Sequence, residues 1–388
     1  MIATKSSDPA ATPPSAGPPI GPSHPWLAPL AGYSDLPFRL LCRELGAAVA
    51  CTEMVSAKGL VLGQSRRSNA TNDLLATWPP LRPVMAGAQS SMPYPGPGGS
   101  VTPVKPDSPL VVQLFGAEAS FMAEAVRILV DRGYDWFDCN MGCSVPKVGK
   151  SGAGSAMLQD PDNAVAVADA MIRAAGAKRV GFKLRLGREA GDAVYLPLAK
   201  RLEEAGAGWL TLHPRYARQK FTGTADWKAV VPLVAQSSIP VMVSGDLFTA
   251  ADGVRALAVT GASGVMFARG AMHNPAIFEQ FTALLAGDMR ESPRFADAAK
   301  LEYIIRRHAA LIRAFYPVRR NRQGMESGLL KMRAFVPRYV KECAGARFLR
   351  RAMVQCMTWD AMDALLHDFF SRRENLEPAP VEGERDLA

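Results

Sequence analysis

The stretch DCNMGCSVPKVGKSGAGSAM, Asp138 to Met157, sets two cysteines, an asparagine and two lysines in a glycine-punctuated run just past an apolar segment. A buried, inert cysteine needs only apolar neighbours, whereas a working thiol needs access, a backbone that can approach a ligand, and nearby positive charge. Cys143 has the second setting, with Lys147 and Lys150 close behind it, and is the candidate catalytic residue. The alternative is a packed thiol. Cys139 and Cys143 have no third or fourth cysteine nearby, and Cys42, Cys51, Cys343 and Cys356 are scattered. That spacing argues against a zinc or iron–sulfur centre, which needs three or four convergent ligands, so no metal is expected.

Other residues group at the ends of apolar runs. G-F-K-L-R-L-G puts Lys183 and Arg185 on one face of a strand, because strand side chains repeat every two residues. Such a lysine suits either the pyrimidine edge of a flavin or a structural ion pair with a carboxylate. L-H-P-R leaves His213 and Arg215 at one rim, for anion or substrate contact or as satisfied structural groups. Gln113, within V-V-Q-L-F-G, needs hydrogen-bond partners if buried, and a flavin edge offers them. S-G-D (Ser244, Gly245, Asp246) and A-R-G (Ala268, Arg269, Gly270) are glycine-marked turns, each followed by a helix whose first N–H groups can receive an anion. As a pair they favour a phosphate-bearing cofactor over ordinary turns. There is no G-x-G-x-x-G after the first strand, no Walker loop, no H-E-x-x-H and no G-x-S-x-G elbow.

The elements that must position these groups alternate between β-branched runs and helical stretches. Strands are expected at Trp26 to Leu30, Ala47 to Thr52, Leu110 to Phe115, Trp136 to Cys139, Val180 to Leu186, Trp209 to His213, Pro240 to Ser244 and Gly264 to Ala268. Helices are expected at Asp35 to Leu45, which opens with an Asp and an early proline, and at Asp162 to Ala175, which follows a D-P-D capping signal. Eight parallel-type strands with helical crossovers over about 250 residues indicate an α/β fold, a (β/α)8 TIM barrel spanning 25–290. The Pro/Gly-rich stretch 85–108 reads as an exposed insertion. Helices without strands follow at Lys300 to Phe315, Gly324 to Cys343, Ala346 to Met357 and Trp359 to Phe370, giving a smaller all-helical domain at 298–373. Residues 1–24 and 374–388 read as disordered tails.

At 388 residues with 48% hydrophobic content the chain can bury a large core. No uninterrupted apolar run reaches the roughly 18 residues of a membrane span, and scattered cysteines suit a reducing cytoplasm. The net charge is +9, yet Lys300 to Arg373 alone carries sixteen Lys/Arg against six Asp/Glu, so the remainder is near neutral. Localised basic charge fits a polyanion partner, nucleic acid foremost.

With those residues in hand, the sequence resembles the tRNA-dihydrouridine synthases, nearer to the bacterial B-type group. The segments are A-P-L-A-G-Y-S-D-L-P-F-R at Ala28 to Arg39, T-E-M-V-S-A at Thr52 to Ala57, V-Q-L-F-G at Val112 to Gly116, N-M-G-C at Asn140 to Cys143, and G-A-G-S-A at Gly152 to Ala156. K-L-R-L-G at Lys183 to Gly187, H-P-R at His213 to Arg215 and A-D-W at Ala225 to Trp227 continue in the same order. The helical segment, through K-M-R-A-F-V-P-R-Y at Lys331 to Tyr339, is similar to the family's tRNA-binding domain.

The resemblance implies FMN as cofactor, NADPH as electron donor, tRNA as partner, and reduction of the uridine C5–C6 double bond. It implies hydride transfer to C6 and a proton from Cys143 to C5. It places Pro29, Leu30 and Ala31 along the flavin, Gln113 and Lys183 at its ring, and His213, Ser244, Gly245, Asp246, Ala268 and Arg269 around its phosphate. Asn140, Arg185, Arg215, Lys331, Arg333 and Arg338 become substrate-side residues of a cytoplasmic, monomeric enzyme. Leu30 stands where methionine is usual, Ser144 for proline, Pro214 for glycine, Ser244 for asparagine and Ala268 for glycine.

Overall fold

The computed structural model describes residues 17–63, 73–78, 105–288, 298–316, 319–372 and 376. Of the expected tails at 1–24 and 374–388, residues 1–16, 374–375 and 377–388 lie outside them, as does 85–104 of the insertion. Within 17–24, Ile20 packs on the barrel interior and the Pro19 carbonyl accepts the Trp26 indole N–H. Nine parallel strands are formed: β1 (Trp26–Leu27), β2 (Val49–Cys51), β3 (Val55–Ser56), β4 (Leu110–Phe115), β5 (Trp136–Met141), β6 (Val180–Arg185), β7 (Trp209–His213), β8 (Val241–Ser244) and β9 (Gly264–Phe267). Successive strands pair except β2 with β3, β1 pairs with β9, and β2 pairs with β4, which closes the sheet into a barrel.

Two of the nine are one interrupted barrel strand. Cys51 pairs with Val111 and Val55 with Leu114, so four steps along one strand oppose three along the other. The extra residue makes a bulge at Thr52 to Met54. Thr52 anchors it, its N–H donating to the Val111 carbonyl and its hydroxyl accepting from the Gln113 N–H. The sequence offers only T-E-M there, with no glycine or proline to mark the break.

Alternation along the strands sorts the core into two compartments. Leu27, Ala50, Val112, Phe137 and Phe182 pack outward under the helices. Trp26, Val49, Cys51, Val111, Trp209, Met242 and Met266 fill the barrel interior, with Trp26 edge-on to Trp209 at 5.7 Å. Further along the same inward rows stand Gln113, Asp138, Asn140, Lys183 and Thr211, so the interior turns from apolar to polar toward the strands' C-terminal ends. Gly181 makes room for the large rings: a Cβ there would lie 2.0 Å from Trp209 Cε2.

Helix Leu36–Glu44 is capped by Asp35, whose carboxylate accepts the Phe38 N–H, and Asp160 caps Pro161–Ala175 in the same way. The helical segment comprises Ala298–Phe315, Leu329–Tyr339, Ala346–Gln355 and Trp359–Ser371. The second begins later than expected because Gly328 is left-handed, with φ +83, and residues before it form an Arg320–Glu326 bridge.

This segment docks on helix Leu36–Glu44 and shares one hydrophobic core with the barrel. Arg307 grips Glu44 through two side-chain nitrogens, Lys331 pairs with Asp35 at 2.6 Å, and Phe38 packs on Phe335 at 4.7 Å. His308 is fully buried between Phe38 and Phe335, with Nδ1 3.0 Å from the Tyr339 hydroxyl.

Gly181→Ala is expected to destabilise the barrel by about 2–3 kcal/mol through overpacking against Trp209, read as a lower urea midpoint at unchanged slope. An unshifted midpoint would contradict the packing. Burial drives the His308 pKa down to about 4, below its unfolded value, so its contribution is complete above about pH 6.5 and is lost as pH falls toward 4. Replacing His308 with Phe should remove up to about 1.4 kcal/mol per pH unit of that dependence. A variant whose urea midpoint falls as steeply as wild type between pH 6.5 and 4 would refute the assignment.

Candidate active site

The C-terminal ends of the strands surround one cavity of about 420 Å³, within the usual range for cofactor sites. Ala28 to Leu30 and Ala31 form one wall after β1, with Met54 and Met272 beside them. Around the barrel follow Gln113 of β4, Asn140 of β5, Lys183 and Arg185 of β6, His213 of β7, Ser244 and Gly245 after β8, and Ala268 and Arg269 after β9. Cys143 stands at the rim. Of the six cysteines, five are buried and Cys143 alone is partly exposed.

A chain of buried amides holds that thiol's loop. Gln113 Nε2 donates to Asp138 Oδ2 at 2.7 Å, and Asn140 Nδ2 donates to Gln113 Oε1 at 2.8 Å. Asn140 Oδ1 then accepts the N–H groups of Gly142 at 3.1 Å and Cys143 at 2.8 Å. Backbone N–H groups only donate, so Gly142 and Cys143 fix which end of Asn140 is oxygen, Asn140 fixes Gln113 in turn, and Gln113 Nε2 is left to donate to Asp138. Arg185 Nε donates to the Gly142 carbonyl at 2.9 Å from the other side. Gly154 closes the loop from below: at φ +66, a Cβ would come 2.6 Å from the Cys143 carbonyl. Gln113 therefore finds partners within the chain, which the sequence alone did not supply.

Asp138 is buried, and Lys183 beside it is half-buried and lines the cavity. Burial pushes the Asp138 carboxyl up, against the pull of the Gln113 hydrogen bond and the Lys183 charge. Burial, then the Arg185 charge, push the Lys183 ammonium down. His213 is held neutral by burial and by Lys183, Arg185, Arg215 and Arg269 around it.

Asp246 and Arg215 stand behind the cavity wall. Arg215 is buried and grips Asp246 with both terminal nitrogens, at 2.8 and 2.5 Å. Asp246 also accepts from Arg269 at 2.9 Å and from the Ala225 N–H at 2.7 Å. Despite the cost of burial, these donors hold its carboxyl below the usual range. Arg269 is stacked between Phe221 and Phe248, at 4.6 and 4.8 Å, with its position set before any ligand arrives. Gly245 is left-handed at φ +102, and a Cβ there would strike His213 Cδ2 at 2.5 Å. Contrary to the expectation from sequence, the helix after S-G-D, Ala250–Thr260, does not offer its first N–H groups to an anion, because Thr249 and Asp252 cap it reciprocally. Helix Arg269–His273 has no side-chain cap.

Lys331, Arg333 and Arg338 lie on the helical segment outside the cavity, and all reach partners within the chain. Lys331 pairs with Asp35, Arg333 donates to the Cys356 carbonyl, and Arg338 donates to the Tyr33 hydroxyl at 2.9 Å. Tyr33 itself lines the cavity. Sequence reasoning gave no role to Tyr33 and Met54, although both lie within segments that carry the resemblance, and it missed Phe221 and Met272, which lie in none. It also passed over Asp138, although a carboxylate at an inward strand position needs a partner. Among the described residues no cluster of three metal-ligating side chains occurs and no helix is long and apolar enough to cross a membrane.

A probable tRNA-dihydrouridine synthase of Rhodobacter capsulatus is 33% identical over 348 residues, covering 90% of this chain and 95% of its own. The tRNA-dihydrouridine synthase B of Pseudomonas aeruginosa is 30% identical over 359 residues, covering 92% and 96%. A solved morphinone reductase mutant in complex with tetrahydroNAD overlays with a TM-score of 0.46 at 13% identity, over 70% of this chain and 89% of that one. The dihydrouridine synthase family model matches residues 26–374, and the chain belongs to that family.

Proposed function

We propose that this protein is a flavin mononucleotide-dependent tRNA-dihydrouridine synthase that reduces the C5–C6 bond of uridine, with NADPH as electron donor. The observation that carries the reading is a single accessible thiol, Cys143, held by Asn140 at the rim of a cavity lined by inward polar side chains. The residues fit the cofactor. Apolar Pro29, Leu30 and Ala31 suit a ring face, Gln113 and Lys183 suit its polar edge, and the Gly245 turn with Arg269 suits an anionic tail. His213, Ser244 and Ala268 complete that end, while Asp246 and Arg215 act from behind by fixing Arg269.

Held by these residues, flavin mononucleotide would supply the hydride for C6 of the uracil ring. Cys143 then gives its thiol proton to C5, and Asn140 and Arg185 act by holding the loop that carries the sulfur. A uridine inside folded tRNA must be turned out of its stack to reach this rim, so the rest of the RNA needs holding. The exposed Arg347, Arg350 and Arg351 of helix Ala346–Gln355, with the exposed Phe348 among them, are assigned direct contact with the RNA backbone. Lys331, Arg333 and Arg338 contribute positive potential and brace the helical segment. The reading entails a cytoplasmic enzyme that works as a monomer.

Cys143→Ala is expected to keep flavin absorbance and tRNA affinity and to lower dihydrouridine formation about 10²- to 10⁴-fold. Wild-type turnover in that variant would rule out the acid role. Asp138→Asn removes the buried charge that faces Lys183 and leaves Gln113 Nε2 a weaker, neutral acceptor at the foot of the chain. It is expected to retain flavin and to lower turnover at saturating tRNA, with alkylation of Cys143 by iodoacetamide changing in rate as the loop loosens. Unchanged turnover and alkylation would show that the carboxylate does not set the loop.

A further inference from the structure

A second cavity, of about 330 Å³, opens beside the first. Ser144 and Val145 line both, so the two share the segment directly after Cys143 as a wall. The far side is basic: Arg188, Arg218 and Lys220 line it, together with Ser155 and Gln159, and no carboxylate does. Arg218 pairs with Glu189 at 2.5 Å. Arg188 and Lys220 have no ion pair among the described residues, and neither have Lys147 and Lys150 on the adjoining loop.

The cavity is built on a braced backbone. The Arg218 N–H donates to the Arg188 carbonyl at 2.9 Å, and the Ala217 N–H to that of Gly187 at 2.9 Å, which sets the two arginines side by side. Arg185 donates to the Lys220 carbonyl at 3.0 Å, so the segment carrying one cation is tied to the side chain that pins Gly142. The Ser155 N–H donates to the Cys143 carbonyl at 2.9 Å, tying the cavity's floor to the reactive loop.

We propose that this cavity binds a backbone phosphate of the RNA strand next to the reacting uridine. The inference rests on the function proposed above and adds a site for the flanking nucleotide. Unpaired cations with hydroxyl and amide donors and no acidic wall suit a phosphodiester. Its shared wall with the first cavity makes a base in one and the adjoining phosphate in the other parts of a single chain. Only the turned-out nucleotide brings its own backbone to that wall, so the site favours the strand when the base is out of its stack.

The test uses full-length, flavin-loaded protein carrying Arg188→Gln or Lys220→Gln, with tRNA affinity measured across a salt series. Each change is expected to weaken binding about fivefold near 0.1 M salt and to flatten the log–log salt slope by about 0.7 to 0.9. The KM for NADPH without RNA should not move. Unchanged tRNA affinity and slope would overturn the subsite while leaving the proposed activity standing. A raised KM for NADPH with unchanged tRNA affinity would overturn it in favour of a dinucleotide phosphate. Wild-type protein that forms no dihydrouridine would overturn the activity and the subsite together.

Discussion

The buried carboxylate of Asp138 is the constraint on which the rest of the site depends. It lies inside a barrel, where a charge without a partner is expensive, and one of its oxygens takes the Gln113 amide at 2.7 Å. Two side-chain amides and two backbone N–H groups then follow in fixed polarity up to Cys143. Each link is an ordinary hydrogen bond, of about 1 kcal/mol net. Reversing one amide breaks several at once, so the chain acts as a unit rather than as a sum.

The barrel makes this possible by changing the character of its interior along its length. Three tryptophans, Trp26, Trp136 and Trp209, belong to the apolar end, where Gly181 yields space for the largest contact. The polar end has its cost distributed. Asp138 lies near Lys183, Asp246 takes both Arg215 and Arg269, and His213 remains neutral among cations. Cation-rich surroundings of this kind suit an anionic ligand and penalise an empty site, since four like charges stand around one imidazole.

Much of the fold was legible because alternation and capping are local. β4 and β7 run over the residues their apolar pattern indicated, and Asp35 caps its helix as its type suggests. The bulge at Thr52 to Met54 was hidden, because it follows from register against β4, a partner more than fifty residues away. The same distinction separates the site residues. Glycine-marked strand ends named Gly245 and Arg269, whereas Tyr33 and Phe221 enter the cavity wall through loops whose course is set by tertiary contacts. Arg338 shows the limit from the other side: its charge was plain in the sequence, but its hydrogen bond to Tyr33 spans 305 residues.

That long contact also alters how the helical segment relates to the chemistry. Phe335 packs on both Phe38 and Tyr33, Lys331 meets Asp35, and Arg307 meets Glu44, so the segment presses on the barrel loop that begins at Leu30. The Gly32 N–H of this loop in turn donates to Glu53, in the β2–β3 bulge. A load on the basic helices therefore reaches the cavity wall through packed rings and ion pairs rather than through a flexible linker. Contacts that fix the helical segment and contacts that shape the pocket are, at Tyr33, the same contacts, so the basic surface and the pocket are built on one shared core.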